Sequence, residues 1–301
     1  MTETNMEFAR GMRESYSAQN SMAGAADAVS IVRTRQIPAS GPDREIRVRE
    51  YRPTDSDQIL PLIIFIHGGG FVSGDLETHD VLARALALGV SATVLAVDYR
   101  LAPENPFPAG LDDVSAVSLW ARAHAEELRI DPTRIVIGGD SAGGNLAPLA
   151  VAQARDTGQA GFVAQFLFYP LLDFRTITDS WARLGDQYFP THEVMRGVDA
   201  AYLGSDISLG DPRISPLLGS VEGMPPTILA VGTLDPLLDD SRQFATLLEA
   251  AGIPTTLIVS EDATHGYIQY FKDPSGGPAG REALERTVTV LREVLAKDSL
   301  L

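Results

Sequence analysis

The chain reads as an α/β protein with a mostly parallel sheet and helices on both faces. Two observations predict this. Short, nearly unbroken apolar runs recur along its 301 residues, and longer segments with helical periodicity fall between them. Strands that alternate with helices of this length imply β-α-β crossovers, and strands covered on both faces lose the in-out alternation of a half-exposed sheet. The composition, 45% hydrophobic and 21% charged, is that of an ordinary globular protein and excludes disordered, collagen-like and coiled-coil classes.

Taken in order, Ile31–Ile37 and Glu45–Tyr51 are predicted strands joined by a short turn over Pro38–Asp43. The second alternates, so the pair is expected to form an antiparallel edge. Further strands are expected at Pro61–His67, Ala92–Tyr99, Arg134–Gly138, Phe162–Tyr169, Thr227–Gly232 and Thr255–Ser260. Helical patterns occupy Thr78–Leu88, Leu111–Leu128, Asn145–Arg155, Ser241–Ala251 and Arg281–Ala296, the last with Leu284, Val288, Leu291 and Leu295 on one face. Gly276–Gly280 reads as a surface turn before that helix. Two segments break the rhythm. Met1–Val29 is helix-prone but precedes the first strand, and Phe174–Gly223 contains no clear strand although it holds Trp181, Tyr188, Phe189 and Tyr202. Some 50 structureless residues inside a compact domain would be anomalous, so both are expected to form a helical lid over the carboxyl edge of the sheet.

Charge and residue types restrict the function. A net charge of −16 repels phosphate backbones, which argues against a nucleic-acid partner. With no cysteine, thiol nucleophiles, disulfides and thiolate metal sites are excluded. The N-terminus has no apolar core of a secretory signal, and the longest apolar runs are far short of the ~20 residues of a membrane span, so a cytoplasmic location is expected.

The strongest chemical signal is Gly139-Asp140-Ser141-Ala142-Gly143, a G-x-S-x-G sequence between a strand and a helix. A sharp strand-to-helix turn pushes the serine hydroxyl out above the sheet and leaves no room for side chains at 139 and 143. The helix that follows aims free N–H groups at developing negative charge. The second signal is His67-Gly68-Gly69-Gly70-Phe71, after an apolar strand. Such a loop can present the N–H groups of Gly69 and Gly70, with that of Ala142, to an oxyanion. It lacks the pattern of a dinucleotide or phosphate loop. A serine hydroxyl needs a base. Of five histidines, His67 belongs to the glycine loop and is expected to brace it. His79, His124 and His192 read as core or surface side chains. His265, in a short loop after the last strand, is the candidate base. Asp235, just past the strand Thr227–Gly232, is the candidate acid that orients it. Asp239 and Asp240 are expected to sit in the first turn of the next helix, where carboxylates favour the dipole. Phe71, Tyr188, Phe189 and Tyr267 are candidate pocket walls.

These motifs, together with Asp98–Glu104 and Asp235-Pro236-Leu237, resemble the hormone-sensitive lipase family of bacterial carboxylesterases, in the variant with Asp before the nucleophile. The resemblance covers about residues 45–297. It implies an α/β-hydrolase fold of about eight strands with a helical cap, residues 1–45 and 174–223 forming the N-terminal cap segment with the edge strand and the cap insertion, and 46–173 with 224–301 forming the catalytic domain. It further implies hydrolysis of short-to-medium acyl esters with water through an acyl-serine, no cofactor and no metal, and it allows a homodimer. Gly266-Tyr267 departs from the family, where Phe is common after the base. Arg100 and Glu104 are expected to form a structural charge pair. Amidase, lactonase or acyltransferase chemistry on the same residues, or a non-catalytic ligand receptor, stays open at this level.

Overall fold

In the computed structural model, residues 2–39, 44–204 and 206–297 are described. Helix α1 (Glu3–Ala18) precedes strands β1 (Ile31–Pro38) and β2 (Glu45–Arg52), which pair antiparallel. Most of the turn predicted between them, residues 40–43, lies outside the described residues. Then come β3 (Leu60–Ile66), α2 (Asp80–Val90), β4 (Thr93–Asp98), α3 (Ala109–Ala123), α4 (Ala125–Leu128), β5 (Ile130–Asp140) and α5 (Ala142–Asp156). After β6 (Ala164–Phe168), two helices, α6 (Asp179–Leu184) and α7 (His192–Tyr202), fill the strandless stretch. β7 (Thr227–Gly232), α8 (Leu238–Ala250), β8 (Thr255–Ser260) and α9 (Ala279–Lys297) complete the chain. The sheet order is β1-β2-β4-β3-β5-β6-β7-β8, antiparallel at the first two pairings and parallel across the rest.

The apolar strands alternate between two cores because successive side chains leave a strand on opposite faces. Leu62, Ile64 and Ile66 of β3 join Val114 and Val117 of α3, Leu146 of α5 and Phe244 of α8 on one face. Ile63 and Phe65 meet Leu82 and Leu86 of α2 and Leu284 and Leu291 of α9 on the other. Two expectations need correcting. The single helix predicted over Leu111–Leu128 is broken at His124, whose ring stacks on Trp120 with centroids 4.6 Å apart. Gly280 is no surface-turn residue. It is buried in α9, where a Cβ would overlap the Tyr267 carbonyl oxygen.

Candidate active site

The site forms where β3, β5, β7 and β8 end on the same edge of the sheet. Ser141 follows the last residue of β5 with φ 52° and ψ −112°, a conformation L-residues avoid unless their surroundings enforce it. The enforcement is visible. The Ser141 N–H donates to the Phe168 carbonyl at the end of β6 (2.8 Å), and a Cβ at Gly139 or Gly143 would overlap the Ile66 carbonyl oxygen at the end of β3. The elbow is wedged between two strand ends, with α5 starting at Ala142.

His265 lies in the loop after β8, its ring between Tyr169 (centroids 4.7 Å) and Phe189 (5.6 Å). Its Nε2 stands 2.9 Å from Ser141 Oγ, and its Nδ1 2.8 Å from Asp235 Oδ2. Asp235 has no exposed surface, and its other oxygen accepts the Leu237 N–H at 2.9 Å. A carboxylate fixed in this way favours the imidazole with Nδ1 protonated, which leaves Nε2 as an acceptor facing the Ser141 hydroxyl.

Asp239 and Asp240 do begin α8, but neither reaches His265. Asp239 accepts the Ser180 N–H at 2.8 Å, and Asp240 accepts those of Leu172 and Asp173 at 3.2 Å each. Burial pushes the Asp240 carboxyl well above the usual range. These bonds tie the segment after β6 to the start of α8, which a helix-dipole argument did not foresee.

In the glycine loop the Gly69 carbonyl accepts Val72 N–H (3.2 Å), Ser73 N–H (3.0 Å) and Ser73 Oγ (2.7 Å), closing a tight turn with Gly69 at φ 121°. Among the described residues, the N–H groups of Gly69, Gly70 and Ala142 donate to no protein acceptor, and all three residues border the same pocket as Ser141. His67 does brace the loop, with Nδ1 2.8 Å from the Gly68 carbonyl.

The pocket is a cavity of about 70 Å³. Phe71 and Phe189 line it, Phe71 stacked on Tyr202 with centroids 3.9 Å apart. Tyr188 and Tyr267 do not line it. Tyr188 is half-buried between α6 and α7, and the Tyr267 hydroxyl turns away to accept from Ser260 Oγ at 3.2 Å. Sequence reading missed Met12 and Tyr16 of α1, Gln19 just after it, and Val194, Met195 and Val198 of α7. Their spacing along each helix marks one face, which was the signal available. The predicted Arg100–Glu104 pair is also absent: Arg100 binds Asp113 at 2.9 Å, whereas Glu104 binds Arg13 of α1 at 2.7 Å. Arg13 further donates to the Val72 and Ala102 carbonyls at 2.8 and 3.1 Å, so Glu104 anchors α1 over the glycine loop.

Among the described residues, no group of three or more His, Asp or Glu side chains is placed to hold a metal ion, and no helix is long and apolar enough to cross a membrane.

Comparison with known proteins agrees with this fold. Residues 63–269 match a family described as having the alpha/beta hydrolase fold. Carboxylic ester hydrolase LipN of Mycobacterium tuberculosis is 40% identical over 264 residues, covering 85% of this chain and 69% of that protein. Carboxylesterase NlhH of the same organism is 38% identical, covering 83% of this chain and 79% of its own length. Among solved structures, the thermophilic carboxylesterase EstE1 from a metagenomic library superposes with a TM-score of 0.89 at 33% identity, covering 97% of each chain. The chain belongs to the α/β-hydrolase fold family, in its hormone-sensitive lipase-like group.

Proposed function

We propose that the chain is a serine carboxylesterase that cleaves short-to-medium acyl esters by two acyl-transfer steps. One observation carries the reading: the unbroken contact from Asp235 through His265 to Ser141, at 2.8 and 2.9 Å, beside three N–H groups without a protein acceptor. As Ser141 Oγ bonds to the ester carbonyl carbon, its proton passes to His265 Nε2, and Asp235 stabilises the imidazolium. The carbonyl oxygen, now negative, is held by the N–H groups of Gly69, Gly70 and Ala142, each donor being worth on the order of 10²–10³ in rate. When the C–O bond to the alcohol breaks, His265 returns the proton to the departing oxygen and an acyl-serine remains. Water then adds with His265 as base, and the second collapse releases the acid and restores Ser141.

A cavity of about 70 Å³ supports small acyl groups, since one water needs roughly 10–15 Å³ on the same measure. We assign residues 1–45 to an N-terminal cap segment with the edge strand, 174–223 to a cap insertion, and 46–173 with 224–301 to the catalytic domain. The contacts of α1 with α7 support that division. Asn5 Nδ2 donates to the Ala200 carbonyl at 2.6 Å, the Phe8 ring packs on Gly197, and Met12 and Val198 wall the pocket together.

The test is a panel of p-nitrophenyl esters, anilides and lactones with the wild type and Ser141→Ala. Ester turnover that is lost in a Ser141→Ala variant with unchanged circular dichroism is the expected result. Amide or lactone turnover without ester turnover would reverse the reading.

A further inference from the structure

Behind the glycine loop lies a buried polar cluster that none of these steps uses. Asp140, the residue before Ser141, is 1% exposed, yet it borders the pocket. Its Oδ1 accepts the Gly68 N–H at 2.9 Å, and the carboxylate lies so close that a Cβ at Gly68 would overlap Oδ2. One side chain thus joins the strand that carries the nucleophile to the peptide that leads into Gly69 and Gly70. The same placement creates a conflict. A fixed negative charge stands next to the point where a second negative charge must form, and like charges in a site screened from water repel strongly.

His79 answers it. Only 2% exposed at the start of α2, it lies among Phe65, His67 and Tyr16 with ring centroids 5.9, 5.6 and 6.0 Å away. Its Nε2 is 3.1 Å from Asp140 Oδ1, an ion-pair contact rather than a straight hydrogen bond. Its Nδ1 is 2.9 Å from Thr78 Oγ1, and that hydroxyl donates its own hydrogen to the Asp75 carbonyl at 2.9 Å. Both ring nitrogens therefore face acceptors, an arrangement suited to an imidazolium. Burial pushes the Asp140 carboxyl up, but the His79 charge and the Gly68 N–H outweigh it and leave the group below the usual carboxylate range. His67 goes the other way: burial and then the His79 charge push it down.

We infer that Asp140 and His79 are positioning residues for the oxyanion site. Asp140 sets the Gly68–Gly70 peptides relative to Ser141, and His79 cancels the charge that Asp140 would otherwise present to the oxyanion. The inference rests on the acyl-transfer reading above, with Gly69 and Gly70 as donors.

A double-mutant cycle in the full chain tests it, measuring kcat and KM for p-nitrophenyl butyrate, the thermal melt, and the final stoichiometry of fluorophosphonate labelling. His79→Phe keeps the ring packing but leaves the Asp140 charge without a counter-charge. Losing one oxyanion donor costs on the order of 10²–10³, so an unbalanced charge beside an intact donor set should lower kcat about 10–100-fold while KM stays within about threefold. Asp140→Asn keeps an oxygen for the Gly68 N–H and removes the charge. Added to His79→Phe, it should bring kcat back to within about fivefold of Asp140→Asn alone, the non-additivity of coupled sites. Wild-type kcat in His79→Phe, or a double variant as slow as His79→Phe, overturns the inference; a purely structural role would move the melt and not the rescue.

Should His79→Phe fail to fold, the neutral pair His79→Phe/Asp140→Asn is compared with His79→Phe/Asp140→Leu, which lacks the Gly68 acceptor. The leucine variant should be at least about tenfold slower, and equal rates overturn the inference. A wild type that neither turns over ester nor takes up one phosphonate per chain would bring down the acyl-transfer reading and this inference with it. An active, labelled wild type beside an unimpaired His79→Phe sinks this inference alone.

Discussion

Replacing Asp235 by Asn separates orientation of the base from its mere presence. Asp235 is wholly buried and accepts two hydrogen bonds, from His265 Nδ1 at 2.8 Å and Leu237 N–H at 2.9 Å. Asparagine fits the same space, and its carbonyl oxygen can still serve Leu237. Its amide NH₂ then faces His265 Nδ1, which must become an acceptor. The proton moves to Nε2, the atom 2.9 Å from Ser141 Oγ, and the ring can no longer take the serine proton. A wrong tautomer in an otherwise intact triad costs about 10⁴ in kcat, equivalent to about 5.4 kcal/mol of transition-state stabilisation. The assay is p-nitrophenyl butyrate turnover, with thermal denaturation to show that the fold survives. Asp239→Asn is the control, because that carboxylate serves Ser180 N–H and Arg242 instead. It should retain activity within about threefold of wild type. Equal damage from the two substitutions would refute the reasoning.

Gly143→Ala should destabilise the protein by several kcal/mol, because its methyl would overlap the Ile66 carbonyl oxygen, and a wild-type melting temperature would contradict this. Phe189→Ala removes a 45%-exposed ring that walls the pocket 5.6 Å from His265. It should raise the kcat/KM ratio of p-nitrophenyl octanoate to butyrate about 3–10-fold, and an unchanged ratio would show that the ring does not limit chain length. Burial lifts the Asp199 carboxyl to about 6, so the folded chain keeps a proton that the unfolded chain releases near pH 4. The stability associated with this group is full below about pH 4 and is lost as pH rises through about 6. Denaturant titrations should therefore find Asp199→Asn more stable than wild type at pH 8 and close to it at pH 4; the reverse order would refute the assignment.

What could be read from the chain was local. Most of the strands from β3 onward followed from apolar runs because burial on both faces needs no knowledge of the partner, and the edge pair β1–β2 from alternation and a turn signal, although β5 starts at Ile130, four residues earlier than predicted. The elbow at Ser141 was legible because its steric demand is met within five residues. The pocket walls were not. Tyr188, Tyr267 and Phe189 look alike in sequence, and which of them faces Ser141 depends on how the segment after β6 and the loop after β8 cross the sheet edge. Met12 and Tyr16 lie more than 120 positions from Ser141, brought there by Arg13 reaching Glu104 and two carbonyls. Arg100 was assigned the wrong partner for the same reason: Asp113, on α3, is a neighbour only after folding. Asp140 and His79 carried no separable signal, one being the variable position of its motif and the other lying at the edge of a helical pattern.

The central claim is that Ser141, His265 and the three N–H donors act on one carbonyl. A crystal structure of the chain inactivated by an alkyl phosphonate tests it most directly. The account predicts phosphorus bonded to Ser141 Oγ, with the phosphoryl oxygen about 3 Å from the backbone nitrogens of Gly69, Gly70 and Ala142. Phosphorus on another residue, or a phosphoryl oxygen turned away from those three nitrogens, would contradict it.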